Sequence, residues 1–242
     1  MQAWIMMLAL ATPGDVGRAP APTADASHAA VYERCAMELA PRLVTGSLLF
    51  NAGDCLAIRV YTASPYTHVA VVVIEEDRPV VYDSMNGAGV RRQPLVDYLR
   101  SQSPDRLHVF HPQRPLTPEQ SRGLRDYLDS QLGRPYAVQH HLTGKRCEGV
   151  HCAEYVTDAL MSIGLLHADR PAKVSPASLV TGITAAGIYT AEETIDLTPP
   201  ARPQPVAANR CQRLWIDTKL CLANCCDQLS GWFLCRRLGS SE

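Results

Sequence analysis

The sequence predicts an α+β fold in which an antiparallel sheet packs against helices. Two patterns carry this prediction, one of a β-hairpin and one of a helix. Residues 68–74 (HVAVVVI) form a β-branched run. Residues 79–85 (PVVYDSM) follow it after a charged turn, a pattern typical of a β-hairpin. Residues 152–163 repeat apolar side chains at helical spacing. Short strands with separate helices packed on them indicate an α+β architecture.

Weaker local signals predict the remaining elements. Thr117 opens a long helix, because Thr-Pro-Glu-Gln combines a cap, a proline in the first turn and an early acid. Gly133-Arg134-Pro135 ends that helix, since glycine terminates helices and proline cannot continue them. The other predicted elements are strands at 47–50 and 107–111, a short helix at 94–100 and a second short helix beginning at Ser175-Pro176.

The stretch 148–163 is the most informative part of the chain. Positions 152, 155, 156, 159, 160 and 163 hold Cys, Tyr, Val, Ala, Leu and Ile, which is the stripe of a buried helix face. We therefore expect Cys152 in the first turn of a helix, with its side chain on the core side. By the same stripe, Glu154 is expected off the buried face and pointing away from the site.

Length and charge narrow the function classes. A chain of 242 residues fits one domain with appendages. The 23 basic and 24 acidic residues leave a net charge of −1, without long runs of either sign, which argues against nucleic acid as the main partner. No run of eighteen apolar residues occurs, so no transmembrane helix is expected.

Three parts of the chain are predicted. Residues 1–45 form an N-terminal segment with a linker and a possible short signal, because the apolar run Trp4–Ala11 ends in a small-x-small pattern but lacks a preceding basic residue. Residues 46–198 form one folded domain, which contains the candidate catalytic residues described below. Residues 199–242 form a Pro-rich linker and a Cys-rich tail. The localisation is left open between periplasmic or secreted and cytoplasmic.

The tail admits several interpretations. Five of the nine cysteines lie in it, interleaved with Leu, Trp and Phe and followed by Arg236-Arg237. Disulfides, a metal-bound knot, or acylated cysteines that contact a membrane surface would each fit this pattern. The five cysteines are Cys211, Cys221, Cys225, Cys226 and Cys235.

Three residues could form a cysteine-nucleophile site. A thiolate is stabilised at a helix N-terminus by unpaired N–H groups, which can also bind the oxyanion formed when it attacks a carbonyl. Cys152 has that placement. His68 opens the strand against which the helix should pack, and it could act as the base. Asp83, on the next strand of the hairpin, could orient the imidazole.

Six segments in one order resemble the permuted papain-like amidases of the YiiX/YaeF group (peptidase family C92), relatives of the NlpC/P60 amidases. They are GSLLF at 46–50, SPYTHVAVVV at 64–73, VVYDSM at 80–85, LGRPYAV at 132–138, HCAEYV at 151–156 and SPASLV at 175–180. The order is informative, because in ordinary papain-like enzymes the cysteine precedes the histidine, whereas here His68 precedes Cys152. The resemblance implies a permuted papain-like, NlpC/P60-like fold.

The resemblance also implies roles. The Thr-His pair makes His68 the base, and the Cys-x-Glu segment makes Cys152 the nucleophile. The acid position falls on Asp83, where the family pattern favours Glu. Tyr136, in the Gly-x-Pro-Tyr segment, corresponds to a tyrosine beside the nucleophile that would help to position the substrate or its oxyanion. No metal and no cofactor are expected.

The implied function is a cysteine hydrolase of the amidase or peptidase type that acts through a thioester on a peptide, amide or lipid-like acyl substrate. One alternative is an acyltransferase or lipid deacylase of the lecithin–retinol acyltransferase type. A second is a non-catalytic binding module on the same fold, against which the retained Cys, His and acid argue. A structural zinc site is a third, because several potential ligands cluster between His140 and Cys152, although no Cys-x-x-Cys pair occurs.

Overall fold

The computed structural model describes residues 24–52, 65–137, 143–144, 146, 148–192 and 194–198. In these ranges it has five α-helices and seven strands. The helices are α1 (Ala24–Leu39), α2 (Leu95–Gln102), α3 (Pro118–Ser130), α4 (Cys152–Ser162) and α5 (Pro176–Ala185). The strands are β1 (Leu48–Ala52), β2 (Tyr66–Glu75), β3 (Arg78–Met85), β4 (Gly89–Pro94), β5 (Arg106–Pro112), β6 (Tyr189–Ala191) and β7 (Ile195–Asp196). Two short 3₁₀ helices cover Ala40–Arg42 and Pro171–Lys173.

All seven strands belong to one antiparallel sheet. Its order is β4-β3-β2-β1-β5-β6, and β7 also pairs with β5. Strand β2 is central and carries the β-branched run, whose side chains are buried from Thr67 to Val73. A strand buried on both faces is expected to be continuously apolar. The predicted α+β architecture is therefore confirmed.

The β2–β3 hairpin has a two-residue turn formed by Glu76 and Asp77. Both residues have positive φ, 47° and 60°, as in a type I′ turn, whose twist matches that of the flanking strands. The turn sets a register in which Val71 pairs with Tyr82. Continued by one residue, this register places Asp83 opposite Ala70, two residues from His68. Both polar side chains therefore start from the same face of the sheet.

Two apolar cores lie on opposite faces of the sheet. On one face, helices α3, α4 and α5 cover a cluster that includes Phe50, Val71 and Tyr82. On the other face, helices α1 and α2 cover a cluster that includes Ala70 and Val81. Alternating side chains of the same strands serve the two cores, which explains the continuous burial of β2.

Helix α4 begins at the predicted position. Cys152 is its first residue, and Tyr155, Val156, Ala159 and Leu160 are fully buried. The helix packs mainly against β2, β3 and α3. The expectation for Glu154 was wrong, because its side chain is only 1% exposed and forms an ion pair with Arg146. Contacts with residues outside the helix, such as Arg146, are information that periodicity within the helix cannot reveal.

Four elements were not predicted. Helix α1 has little amphipathic contrast in its sequence, yet it buries Tyr32, Cys35 and Leu39 on the sheet. Strand β4 is a polar edge strand, and β6 and β7 have only three and two residues. Strand β7 lies just before the predicted Pro-rich linker, which begins at residue 199. None of the described helices is long and apolar enough to cross a membrane.

Candidate active site

The site is built around the N-terminus of α4. Cys152 is the first helical residue and its side chain is buried, with 5% of the residue exposed. The first hydrogen bond of the helix is donated by Tyr155 to the carbonyl of His151. The N–H groups of Cys152 and Ala153 precede that bond and point out of the helix end. A thiol at this position lies in the positive field of the helix terminus.

His68 approaches from the start of β2. It lies at a β-bulge, since Asn51 of β1 pairs with His68 while the next residue, Ala52, pairs with Tyr66. Thr67 is the extra residue. A bulge bends the strand and re-aims its side chains. The imidazole is nearly buried, with 10% of the side chain exposed; it hydrogen bonds to Asp83, and its charge interacts with that of the Cys152 thiol.

Asp83 contacts the imidazole directly. Its Oδ2 atom lies 3.1 Å from His68 Nε2, and its side chain is fully buried. Because Nε2 is engaged by the carboxylate, Nδ1 is the nitrogen left for the thiol. The shorter acid at this position therefore reaches the histidine. Hairpin register and the diagonal offset of two residues explain the contact.

Two further side chains hydrogen bond to the Asp83 carboxylate. Arg91, paired with Asp83 across β3 and β4, donates from Nε to Oδ1 at 2.9 Å and from Nη2 to Oδ2 at 3.4 Å. Gln102, the last residue of α2, donates to Oδ2 at 3.1 Å. Neither residue was identified from the sequence. No local signal distinguishes Arg91, because β4 (GVRRQP) has no apolar alternation and the neighbouring residue is also an arginine.

The charges of this group support one another. Burial raises the pKa of Cys152, but the charge of His68 and the interactions with the neighbouring His151 and His68 rings outweigh burial and lower it. Burial lowers the pKa of His68, but the Cys152 thiolate and the hydrogen bond to Asp83 outweigh burial and raise it. For Asp83, His68 and Arg91 outweigh the effect of burial and lower the pKa. The favoured state is a thiolate–imidazolium pair beside an ionised carboxylate.

Tyr136 lies close to this pair. Burial raises its pKa, and the negative charge of the Cys152 thiolate adds to that effect. The phenol therefore keeps its proton at neutral pH and remains a hydrogen-bond donor. Its segment is held by backbone bonds between Val150 N and Pro135 O at 3.0 Å and between Ala137 N and Val150 O at 3.4 Å. The structure thus brings together the four residues predicted for the site.

His151 is a neighbour of the thiol that the sequence suggested only as part of a zinc cluster. It is the N-cap residue of α4, and its side-chain Nδ1 accepts from the Glu154 N–H at 3.3 Å. Its Nε2 donates to the carbonyl of Ala172 at 3.0 Å. The ring therefore anchors the 3₁₀ helix Pro171–Lys173 against the nucleophile end of α4. Histidine is an uncommon cap, which is why residue type alone did not indicate this role.

A second histidine with an acid and a hydroxyl lies elsewhere in the fold. His111 of β5 has Nδ1 3.0 Å from Ser47 Oγ and Nε2 3.2 Å from Glu192 Oε2. Arg42 forms an ion pair with Glu192. Ser47 also accepts the Val44 N–H at 3.0 Å. This cluster joins β1, β5 and the chain after β6.

The zinc alternative concerns the potential ligands between His140 and Cys152. Of its potential ligands, His140, His141 and Cys147 lie outside the described residues. Within the described ranges, no group of three or more His, Cys, Asp or Glu side chains could hold a metal ion. The N-terminal run Trp4–Ala11 and the Cys-rich tail likewise lie outside the described residues.

The chain was compared with known proteins. The sequence model of a family described as permuted papain-like amidase enzyme, YaeF/YiiX, C92 family, matches residues 42–171, more than half of the chain. No curated protein matches. Among solved structures, the fold is similar to that of metalloprotein yiiX from Escherichia coli O157:H7. The TM-score is 0.50, with 17% identity over 62% of this chain and 96% of that one.

The predicted family and the papain-like fold class are therefore confirmed. The structural likeness, at that identity, concerns the fold, whereas the sequence match reaches from Arg42 across the proposed base, acid and nucleophile positions. The chain belongs to the permuted papain-like amidases of the C92 family and is a cysteine amidase or peptidase-like hydrolase.

Proposed function

We propose that this protein cleaves an amide bond of a peptide-like substrate through a thioester on Cys152, with His68 as base and acid and Asp83 as the residue that orients His68. The observation that carries the proposal is the arrangement at the N-terminus of α4, where Cys152 is the first helical residue, the His68 imidazole interacts with its charge, and the Asp83 carboxylate holds His68 Nε2 at 3.1 Å. A buried thiolate at a helix N-terminus is a strong nucleophile.

The first half-reaction forms the thioester. The Cys152 thiolate attacks the carbonyl carbon, and the carbonyl π electrons move to oxygen to give a tetrahedral oxyanion. Donors for that oxyanion are the N–H of Cys152 and the hydroxyl of Tyr136. When the C–N bond breaks, the His68 imidazolium gives its proton to the departing nitrogen, which leaves as a neutral amine.

The second half-reaction hydrolyses the thioester. Neutral His68 takes a proton from water as the water oxygen bonds to the acyl carbon. The tetrahedral intermediate then expels the Cys152 thiolate, and the carboxylic acid is released. His68 is again an imidazolium beside a thiolate, so the cycle closes without a further reactant. Asp83 accepts from Nε2 throughout and keeps Nδ1 directed at the thiol.

The substrate class follows from the family rather than from a shaped pocket. An amidase fold supports peptides and other amides as substrates. Acyl transfer to an alcohol or amine remains the second candidate, because any nucleophile that reaches the thioester could replace water.

The test is a competition screen of amide and ester probes that acylate cysteine, read by intact mass and by peptide mapping. We expect an acyl adduct on Cys152 that hydroxylamine removes, and release of free acid on incubation. Cys152→Ala should lose the adduct. Cys35→Ala is the matched control, since Cys35 is also a buried free thiol but burial raises its pKa to about 11. An adduct that forms equally in Cys152→Ala contradicts the proposal, and transfer to added amine or glycerol in preference to water favours the second candidate.

A further inference from the structure

The Asp83 carboxylate is surrounded by donors from three elements. It is fully buried, and a buried carboxylate needs hydrogen-bond donors or a paired charge to remain ionised. Oδ1 accepts from Arg91 Nε at 2.9 Å, whereas Oδ2 accepts from Gln102 and from His68, each at 3.1 Å. Donors on both oxygens fix the rotation of the carboxylate as well as its charge.

Arg91 and Gln102 are themselves held in place. Arg91 Nη2 donates to Ser101 Oγ at 3.0 Å, and Ser101 in turn donates to the Tyr98 carbonyl within α2. The Sδ atom of Met85 lies 3.0 Å from Arg91 Nη2 and 3.2 Å from Gln102 Nε2. The two donors therefore converge on one point from the edge strand β4 and from the end of α2.

We infer that Arg91 and Gln102 are positioning residues, which hold the Asp83 carboxylate in the one rotation that presents Oδ2 to His68 Nε2. This inference rests on the proposed function. It assigns the polar edge strand β4 and the C-terminus of α2 a part in the reactivity of Cys152, although neither element reaches the thiol. Neutralising a buried charge alone would need the arginine charge but not its fork geometry.

The measurement is the pH profile of Cys152 alkylation by iodoacetamide, followed by mass spectrometry in the full-length protein. In Arg91→Met, Asp83 can rotate away, and the His68 imidazolium then loses its acceptor and stabilises the thiolate less. The low-pH side of the alkylation profile should therefore move to higher pH by about one unit, which is about a tenfold loss of rate there. Gln102→Met should shift this side of the profile in the same direction, by about threefold in rate, because it removes one of the two supports.

The matched control is Arg92→Met. Arg92 neighbours Arg91 on β4 but lies on the opposite face, where it pairs with Glu75 and Asp129. Its profile should match that of the wild type. Arg91→Lys keeps the charge without the fork, so it should recover little of the loss. If Arg91→Met does not fold, Gln102→Met decides, and an unchanged profile for it overturns the inference.

A double-mutant cycle separates positioning from other effects. In an Asp83→Ala background, Arg91→Met should cause no further loss, because its target is gone. If Arg91→Met lowers the alkylation rate just as much in that background, the arginine acts on the thiol directly or its loss damages the fold in general. Either result overturns the inference. A wild-type Cys152 that titrates as an ordinary thiol instead contradicts the proposed function, and the inference falls with it.

Discussion

Two histidines of the same sheet have similar partners but different surroundings. His68 lies between the Cys152 thiol and Asp83, and His111 lies between Ser47 and Glu192. In both groups a side chain that could act as a nucleophile contacts an imidazole, and the imidazole contacts an acid. A search for residue types and distances alone would select both groups.

The difference lies in what surrounds the potential nucleophile. Cys152 begins an eleven-residue helix, so unpaired N–H groups and a positive field act on its sulfur. Ser47 precedes a strand, is fully buried, and its oxygen accepts the Val44 N–H. The acids differ too, since Asp83 is fully buried whereas Glu192 is about a quarter exposed and is neutralised by Arg42.

The contrast indicates which feature marks a reactive site. A hydrogen-bonded imidazole is common to both groups, whereas a helix N-terminus beneath the nucleophile and a buried, well-supported acid occur in only one of them. We interpret the His111 group as a structural link between β1, β5 and the segment after β6. Four experiments test this division.

Replacing the nucleophile should have the largest effect. Cys152→Ala removes the only atom that can form the thioester, so turnover of a cleavable amide should fall to background, a loss of at least about a thousandfold. The assay is product release under saturating substrate. Cys35→Ala, treated in parallel, should retain wild-type turnover. Residual turnover in Cys152→Ala above that of heat-treated protein would mean that another residue performs the reaction.

Replacing the acid should cost less. Asp83→Ala should lower turnover by severalfold to about a thousandfold, because His68 loses its orientation but the thiol and the oxyanion donors remain. Asp83→Asn should recover part of the loss, since an amide oxygen still accepts from Nε2. If Asp83→Ala turns over the substrate as fast as the wild type, the site is a Cys152–His68 dyad.

The pH dependence of thiol reactivity should distinguish Cys152 from Cys35. The pKa of Cys152 is lowered, so its thiolate persists until the pH falls through that lowered value, and alkylation should begin well below the ordinary thiol pKa of about 8.5. The pKa of Cys35 is raised to about 11, so at pH 7 its alkylation should be at least tenfold slower. Peptide mapping after timed labelling measures both rates. Faster labelling of Cys35 would remove the basis for the nucleophile assignment.

Replacing the serine of the second group should affect stability rather than turnover. Ser47→Ala leaves the Val44 N–H and His111 Nδ1 without their partly buried hydrogen-bond partner, at a cost of about 1–2 kcal/mol in the free energy of unfolding. Turnover should stay within about twofold. Urea unfolding and the amide assay test the two parts, and a large loss of turnover in a folded Ser47→Ala protein would mean that the division between the two groups is wrong.

The sequence was sufficient for the elements that have strong local signals. The β2–β3 hairpin, the capped helix α3 and the start of α4 at Cys152 all follow from periodicity and end signals. The burial of Glu154 and the contact of Arg91 with Asp83 depend on which segments pack beside them, and that information is non-local. Strand β4 lies at the edge of the sheet, where polar side chains are tolerated. Its sequence therefore has no apolar alternation from which a strand could be predicted.

The β-bulge explains why His68 could be assigned but not oriented from sequence. Strict alternation places its side chain on the face covered by α1 and α2, together with Asp83. The nucleophile helix covers the opposite face. One extra residue, Thr67, lets the strand bend so that the His68 imidazole can approach both Asp83 and the start of α4. Bulges leave no reliable mark in a single sequence.

The chain order of the site has a consequence for protein synthesis. A ribosome adds about 5–20 residues per second, so the hairpin that carries the histidine and the acid emerges on the order of ten seconds before the nucleophile cysteine. Until α4 packs on the finished hairpin, that cysteine has neither its imidazolium partner nor a helix terminus beneath it. Under the proposed mechanism, the nascent protein therefore carries an ordinary thiol, and the reactive form arises only with completion of the fold.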